Sequence, residues 1–571
     1  MTERNVSFVA SGQIPPSPPP AATTGVMGWL KENLFSGPVN SAVTVICIGL
    51  VLWFLPGVIQ WAFVDGVWIA SSLKECREIN AAGACWAVIV ERFDQFIYGF
   101  YPEELRWRPN LAFVLLLVAL VPALFDNVPY RGLGLMFSAL YPVVAYFLIW
   151  GGSVWGPLLL LAAPMVAYAA FVGIRRLIDG PFAAIGAFVA ALLWLLFVVA
   201  PADGAITRAI GDSRFEGQIA ELEAQIAGDV ESGVRAEIAE EWAAIPTADE
   251  RDSFLANAVE AKRSALTTEL ANLRQLPERR DRLAQFEAEL AAMEDDIPSE
   301  YSGVGSRSEL QNLDPPPPAD VRRQLEDLFA KETQVLGAER QVDSTYQRLG
   351  LVGLTPVSSD QLGGFLLAMI IGVAGIVLSL PIGILLALGR QSGLIFIQSV
   401  SIMFIEFFRG VPLITLLFVA NSVLAYFFPP NANLDLILRV VIMVTLFASA
   451  YMAEVIRGGL AALPPGQYEA ADAMGLDYWK SMRLIVLPQA LKISIPNIVS
   501  TFIGLFKDTT LVVVIGLLDP IGLINTTRAD SAWNGIIWEF YVFVGLFFFI
   551  ICFGMSRYSM YLERKLATDR R

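Results

Sequence analysis

The sequence predicts an all-α, polytopic membrane bundle of about ten spans with one helical domain outside the bilayer. Three observations carry this. Of 571 residues, 55% are hydrophobic and only 17% charged, against about 45–50% and about 25% in soluble domains. Ten apolar runs reach the roughly 20 residues that cross a bilayer. Between the fifth and sixth lies one long polar stretch rich in Ala, Glu, Leu, Arg and Gln, the composition of long helices.

Taken in order, residues 1–38 contain PPSPPP and little apolar pattern, and read as a disordered tail. The first apolar run begins near Asn40 and exceeds the about 7–15 residues of a signal-peptide core, so it is not read as a secretory leader. Spans are predicted at 40–62, 109–128, 132–151, 155–174 and 181–201, an accessory region over 39–201. Five more follow at 361–389, 394–428, 434–457, 493–518 and 538–558, a core over 361–558, and then the tail 559–571. Arg131, Arg175, Arg176, Arg390, the 457–492 stretch and RKLATDRR all fall on one side. The excess of Lys and Arg in cytoplasmic loops therefore places both termini inside, and 63–108 and 202–360 outside.

The net charge of -15 belongs to the outside domain. Between residues 211 and 350 there are 30 Asp and Glu and 15 Lys and Arg, and the remainder carries 25 of each. Nothing resembles a nucleic-acid footprint. Heptad-like spacing recurs at Leu283, Phe286, Leu290 and Met293 and at Val321, Leu325 and Leu328. Breaks fall at Ile245-Pro246, Leu276-Pro277, Ile297-Pro298 and the run DPPPPAD at 314–320. The stretch 202–360 reads as three or four helices in a coiled-coil hairpin or small bundle, either a binding platform or a solvated spacer.

Composition also excludes chemistry. With no histidine, His-dependent zinc sites, Ser-His-Asp triads and His proton relays are absent. None of the eight lysines follows a glycine, so there is no GK[ST] phosphate loop. Cys47 and Cys552 lie in apolar runs as small hydrophobes. Cys76 and Cys85 lie nine residues apart in a polar loop; on the outside, in an oxidising compartment, they are disulfide candidates, the alternative being two free thiols. Trp61, Trp68, Trp86 and Trp107 flank that loop as interface-anchoring residues.

One motif carries function. Glu469-Ala470-Ala471 is followed after three residues by Gly475, and after nine more by Ile485, Leu487 and Pro488. This is EAA-x3-G-x9-I-x-L-P at every specified position, the cytoplasmic loop of permease subunits in ATP-binding-cassette importers. The small residues permit close packing, Gly475 permits a sharp turn, and Pro488 is expected to end the element before the next span. FIEFFRGVPLI (404–414), YMAEVIRGGLAALPPGQYEAA (451–471) and FKDTTLVVVIGL (506–517) resemble the polar amino-acid uptake permeases, densely over about 355–571. NLFSGPVNS (33–41), ACWAVI (84–89) and GFYPEELRWRP (99–109) resemble their M-type branch for broad-specificity L-amino-acid import. Region 152–354 departs from that branch by two extra spans and the acidic insert.

The resemblance implies a five-span type I importer core whose EAA loop, 466–488, receives ATPase subunits. It implies two such ATPases, which bind the ATP and magnesium, so that this chain needs no cofactor and does no chemistry. It also implies a second permease of a different chain, a periplasmic amino-acid-binding protein and an amino-acid substrate, all at the bacterial inner membrane. Charges inside spans are costly in lipid. Glu406 and Arg409 at i, i+3 share one helix face, and Glu454 and Arg457 repeat the spacing. Lys507, Asp508 and Thr509 lie about two thirds of the way outward through the ninth span. These residues either line the pathway or form structural ion pairs, with Glu454 and Arg457 read as the latter. Gly410-Val411-Pro412 loosens its helix and supports a bend. Two other classes of reading are an ion-driven secondary transporter, which would require inverted repeats, and a membrane anchor for an external coiled coil.

Overall fold

In a computed structural model, residues 25–568 are described apart from 126–127, 177–181, 299, 302–303, 305–309, 311–312, 314–315, 351 and 424–434. Most of the tail 1–38, the end of the tail 559–571, the loop 429–433 and the start of DPPPPAD therefore lie outside the described residues. The longer helices, in chain order, are α1 (Pro38–Ile59), α2 (Trp107–Leu124), α3 (Arg131–Trp150), α4 (Trp155–Arg175), α5 (Phe182–Phe197) and α6 (Val199–Ala227). They continue with α7 (Ala248–Arg274), α8 (Leu276–Asp295), α9 (Ala319–Leu349), α10 (Gly364–Arg390), α11 (Ile395–Gly410), α12 (Leu413–Ser422) and α13 (Leu436–Ala461). The last are α14 (Gly466–Ala473), α15 (Leu487–Asp508) and α16 (Trp538–Thr568). The architecture is all-α; among the described residues the one sheet pairs Gly152 with Leu354 and Ser153 with Gly353.

Eight described helices are long and apolar enough to cross a membrane, or nine if the bent pair α11–α12 counts as one. Ten were expected. The difference lies at 181–201, where α5 is 16 residues long and breaks at Val198 before α6 begins. The span expected over 394–428 is broken at the loosened Gly410-Val411-Pro412: α11 and α12 meet at 102°. Pro412 stands at the N-cap of α12, with Val411 extended before it. Proline disfavours helical backbone in the preceding residue, so the chain turns there.

The chain forms two compact units, one made of residues up to Ile97 with Pro520–Arg557, the other of Tyr98–Asp519 with the segment from Tyr558. In the first, no residue of α1 is buried. Cys76 and Cys85 are joined in a disulfide, with Cα atoms 5.9 Å apart. Trp86 is no interface anchor: it is buried, its indole N–H donates to the Ala62 carbonyl at 2.6 Å, and Trp68 stacks on it at 5.8 Å. The Cys85 N–H donates to Glu539 at 2.9 Å, and Arg92 pairs with Asp530 at 2.7 Å.

In the second unit α10, α13 and α15 form the core. Leu367, Ile371, Val444 and Leu505 fill one end, and Ala387, Met452, Ile456, Val486 and Ala490 the other. Small residues set the spacing. A Cβ on Gly459 of α13 would lie 2.0 Å from Ser494 Oγ and 2.5 Å from the Ala490 carbonyl of α15. Such contact can be relieved only by moving one helix.

The polar helices α6 to α9 belong to this unit as well. Leu222, Leu270, Leu273, Val342, Tyr346 and Leu349 form one small core among them, and Leu310, Val321, Leu325 and Phe329 another. Val321, Leu325 and Leu328 are buried, whereas Leu283, Phe286, Leu290 and Met293 are half-buried. The stretch returning from α9 is stitched to the α3–α4 turn. Val154 N–H donates to Val352 O at 2.9 Å, Val357 N–H to Trp150 O at 2.8 Å, and the buried Arg108 donates to Thr355 O at 2.6 Å.

Replacing Gly459 by alanine is expected to destabilise the solubilised chain by about 1–3 kcal/mol, the usual range for overpacking. Thermal unfolding checks this, with Gly458→Ala as control, since a Cβ at Gly458 meets nothing within 4 Å.

Candidate functional site

The charged span residues gather where α10, α11 and α13 meet. Arg390, the last residue of α10, donates through Nη1 to Glu406 at 3.0 Å and to Glu454 at 3.5 Å. Arg457 donates to Glu454 Oε1 through Nε at 2.9 Å and also through Nη2. Arg409 approaches Glu454 at 3.9 Å and lies 5.8 Å from the Tyr451 ring centroid. One carboxylate, about 25% exposed, thus serves three guanidinium groups. Glu406 and Arg409 share a face of α11, and each reaches another helix, Glu406 to Arg390 and Arg409 to Glu454. In the sequence Arg390 marks only orientation. Its part became visible once α10 and α13 packed side by side, which no spacing within one helix could indicate. The five groups sum to +1, and with Glu406 about 56% exposed the cluster stays open on one side.

Lys507, Asp508 and Thr509 stand apart from it. Thr509 is buried and donates to the Phe506 carbonyl at 2.8 Å, Asp508 is half-buried and Lys507 is exposed. A Cβ on Gly372 would touch Phe506 and Thr509. Gly372 lies 18 residues before Arg390 on α10, about 27 Å along a helix. The candidates therefore occupy two levels and do not make one site.

Beyond α13 the EAA residues form their own short helix. Ala471 of α14 is fully buried, while Glu469, Ala470, Met474 and Gly475 are exposed. Tyr468 packs from α14 against the Met452–Ile456–Val486 core, and burial pushes its phenol above the ordinary range. Gly475 has φ +71° with open space around it, a conformation most side chains resist. The Asp477 carboxylate then accepts the Lys480 N–H at 2.9 Å and caps the next helix. That bond, with the Lys480 ammonium group, holds its carboxyl below the usual range. The cap is therefore complete above the ordinary carboxyl pKa and is lost as pH falls through the depressed value. Trp479 is 69% exposed, and Met474 and Leu484 each 64%.

Pro488 does not end the element. Residues 482–486 form a π-helical turn that runs into α15, and Pro488 stands in the first turn of α15. The wider turn changes the backbone pattern where proline has no N–H to give. Half-buried Ile485 offers its carbonyl to Gln489 Nε2 at 3.0 Å, and the same amide reaches Gln467 of α14 at 3.0 Å. Leu487 joins the shared core. The motif, α13 and α15 thus rest on one hydrophobic cluster, with Glu454 between its buried members Met452 and Ile456 and Arg457 next to Ile456.

A core of closely packed spans, a broken span and a complete EAA loop define a permease subunit, and comparison with known proteins gives the same class. The sequence pattern of the family described as "Binding-protein-dependent transport system inner membrane component" matches residues 379–568. The chain belongs to the amino-acid permeases of the ATP-binding-cassette transporters. It is 42% identical to the glutamate/glutamine/aspartate/asparagine transport system permease protein BztC of Rhodobacter capsulatus, over 99% of this chain and all of that one. It is 30% identical to the inner membrane amino-acid ABC transporter permease protein YhdY of Escherichia coli, over 97% of each chain. Both matches run across region 152–354, so this region is aligned in both relatives. A crystal structure of an amino acid ABC transporter with histidines is similar over 35% of this chain and 90% of that one, at 27% identity and a TM-score of 0.32.

Replacing Glu454 by glutamine leaves three arginines around a neutral amide, and is expected to lower stability by about 1–3 kcal/mol. The same change at the exposed Glu406 should cost less than about 1 kcal/mol. Thermal unfolding of the two solubilised variants checks the order.

Proposed function

We propose that this chain forms half of the pathway of an importer for acidic amino acids and their amides, and couples that pathway to partner ATPases through its EAA loop. The substrate class is taken from the name of the Rhodobacter relative and from the cluster's net charge of +1, which favours a carboxylate-bearing cargo. The observation that carries the coupling is the shared cluster: Tyr468 of the loop packs against the hydrophobic core that includes Met452 and Ile456 of α13, the helix that bears Glu454 and Arg457. An ATPase that grips Glu469, Ala470, Met474 and Trp479 would shift α14, and the shift would pass into α13 without a soft intermediate. The chain then does no chemistry of its own; two ATPases hold the ATP and magnesium. Access alternates because the two states differ in how this loop is held.

In this reading the second permease is a different chain, and a periplasmic binding protein delivers the amino acid. The EAA loop and both termini lie in the cytoplasm. The 202–360 insert and the disulfide loop lie in the periplasm, where a Cys76–Cys85 bond persists. Lys507, Asp508 and Thr509, a level away from the arginines, would meet cargo before the inner cluster does.

Gly475→Val forces a β-branched residue to φ +71°, and Glu469→Lys reverses an exposed charge on α14. Each is expected to lower uptake at least tenfold in reconstituted transporter while ATP hydrolysis continues uncoupled or the ATPase is lost on purification. Full uptake with retained ATPase in both variants contradicts the role of the loop. Non-reducing mass analysis of native membranes is expected to recover Cys76 and Cys85 as one linked peptide pair; recovery as two alkylated thiols contradicts the assigned sidedness.

A further inference from the structure

A cavity lies where the polar domain joins α3 and α4. It measures about 300 Å³ and is lined by Tyr146, Trp150, Asp203, Arg208, Asp343 and Tyr346, among others. That volume stands at the lower end of small-molecule sites. Arg208 and Asp343 satisfy each other, Arg208 donating through Nε at 3.0 Å and Nη2 at 2.7 Å to one carboxylate oxygen. Asp203 is not matched in this way: its Oδ1 is buried and accepts no hydrogen bond. A buried carboxylate oxygen without a donor is costly, and the three charged side chains on the wall sum to −1. Tyr146 and Trp150, which also line the cavity, stack at 5.2 Å, aromatic surface of the kind that attracts cations.

The wall is also held in place before any ligand arrives. The Trp150 indole donates to Ser359 Oγ at 2.8 Å, and the Ser359 hydroxyl in turn meets Asp435 at the start of α13. Tyr346 donates to Asp212 at 2.7 Å. A preorganised wall of this kind loses little freedom on binding.

We infer that this cavity binds a small ligand bearing a primary ammonium group, which donates to Asp203 and lies against the Tyr146–Trp150 face. The site is separate from the charged cluster at the far end of α13 and does not depend on the transport reading. Two sources share this chemistry, a free amino acid and a simple amine. The test uses the purified full chain in lipid nanodiscs, with calorimetric titration of L-glutamine, ethylammonium and propionate. Binding of L-glutamine alone assigns the site to amino acids through a carboxylate contact at Arg208, and binding of ethylammonium, with or without L-glutamine, assigns it to the ammonium group itself. Propionate, lacking the ammonium, is expected to give no heat.

Asp203→Asn is expected to weaken binding at least tenfold. Gly204→Leu serves as a second variant, since a Cβ there meets nothing within 4 Å and the longer side chain occludes the cavity. No binding of either ammonium ligand to the native chain overturns the inference. So does affinity unchanged in both variants, or propionate binding as tightly as L-glutamine.

Discussion

The half-buried carboxylate of Glu454 is the interaction on which the rest of this permease depends. Three arginines from three helices converge on it, and none has another acceptor of comparable burial in the cluster. A guanidinium inside a span stays charged and is costly there without a partner. Sharing one carboxylate fixes α10, α11 and α13 against each other at a single level. With three arginines and two carboxylates, the network is short of one negative charge.

Close packing connects this level to the EAA loop. Gly459 lets α13 approach α15 to van der Waals contact or less, and the Ser494 hydroxyl donates to the Val455 carbonyl at 3.2 Å between the two charged residues' turn and the loop. Ala471 is buried while its neighbours Glu469 and Ala470 are exposed, so α14 has one face on the bundle and one open. Interfaces of this density transmit a shift instead of absorbing it. The other end of α13 begins at Asp435, which Ser359 and Trp150 join to the polar domain. One helix therefore touches both the loop and the outlying domain.

Much of this was legible in the sequence, and the limits have physical causes. The EAA motif, the apolar runs and the helix breaks near Pro246 and Pro298 are local patterns, and local patterns survive folding. Arg390 was missed because its significance arises only where three helices meet. The pair Glu406–Arg409 shared a face as expected, yet interhelical partners won over the i, i+3 neighbour, whose gain is only a few tenths of a kcal/mol. Pro412 showed as a loosened point but not as a 102° turn, since the angle is set by packing of α12 on α13. Pro488 was misread because a π turn lets a helical path continue past proline. Trp86 has the residue type of a membrane anchor, but its indole N–H found the Ala62 carbonyl inside the fold.

The central claim is that the EAA helix and the charged cluster move as one body. Pulsed electron-spin distances between labels at Ala473 and Phe396, both exposed, measure it directly in the assembled transporter. Trapping the ATPases with nucleotide is predicted to leave the distance distribution sharp and unshifted in the native chain, where the two labels ride on one body, and to shift or broaden it when Glu454 is replaced by glutamine. A clear shift in the native chain would show that α14 moves without the cluster, and would contradict the account.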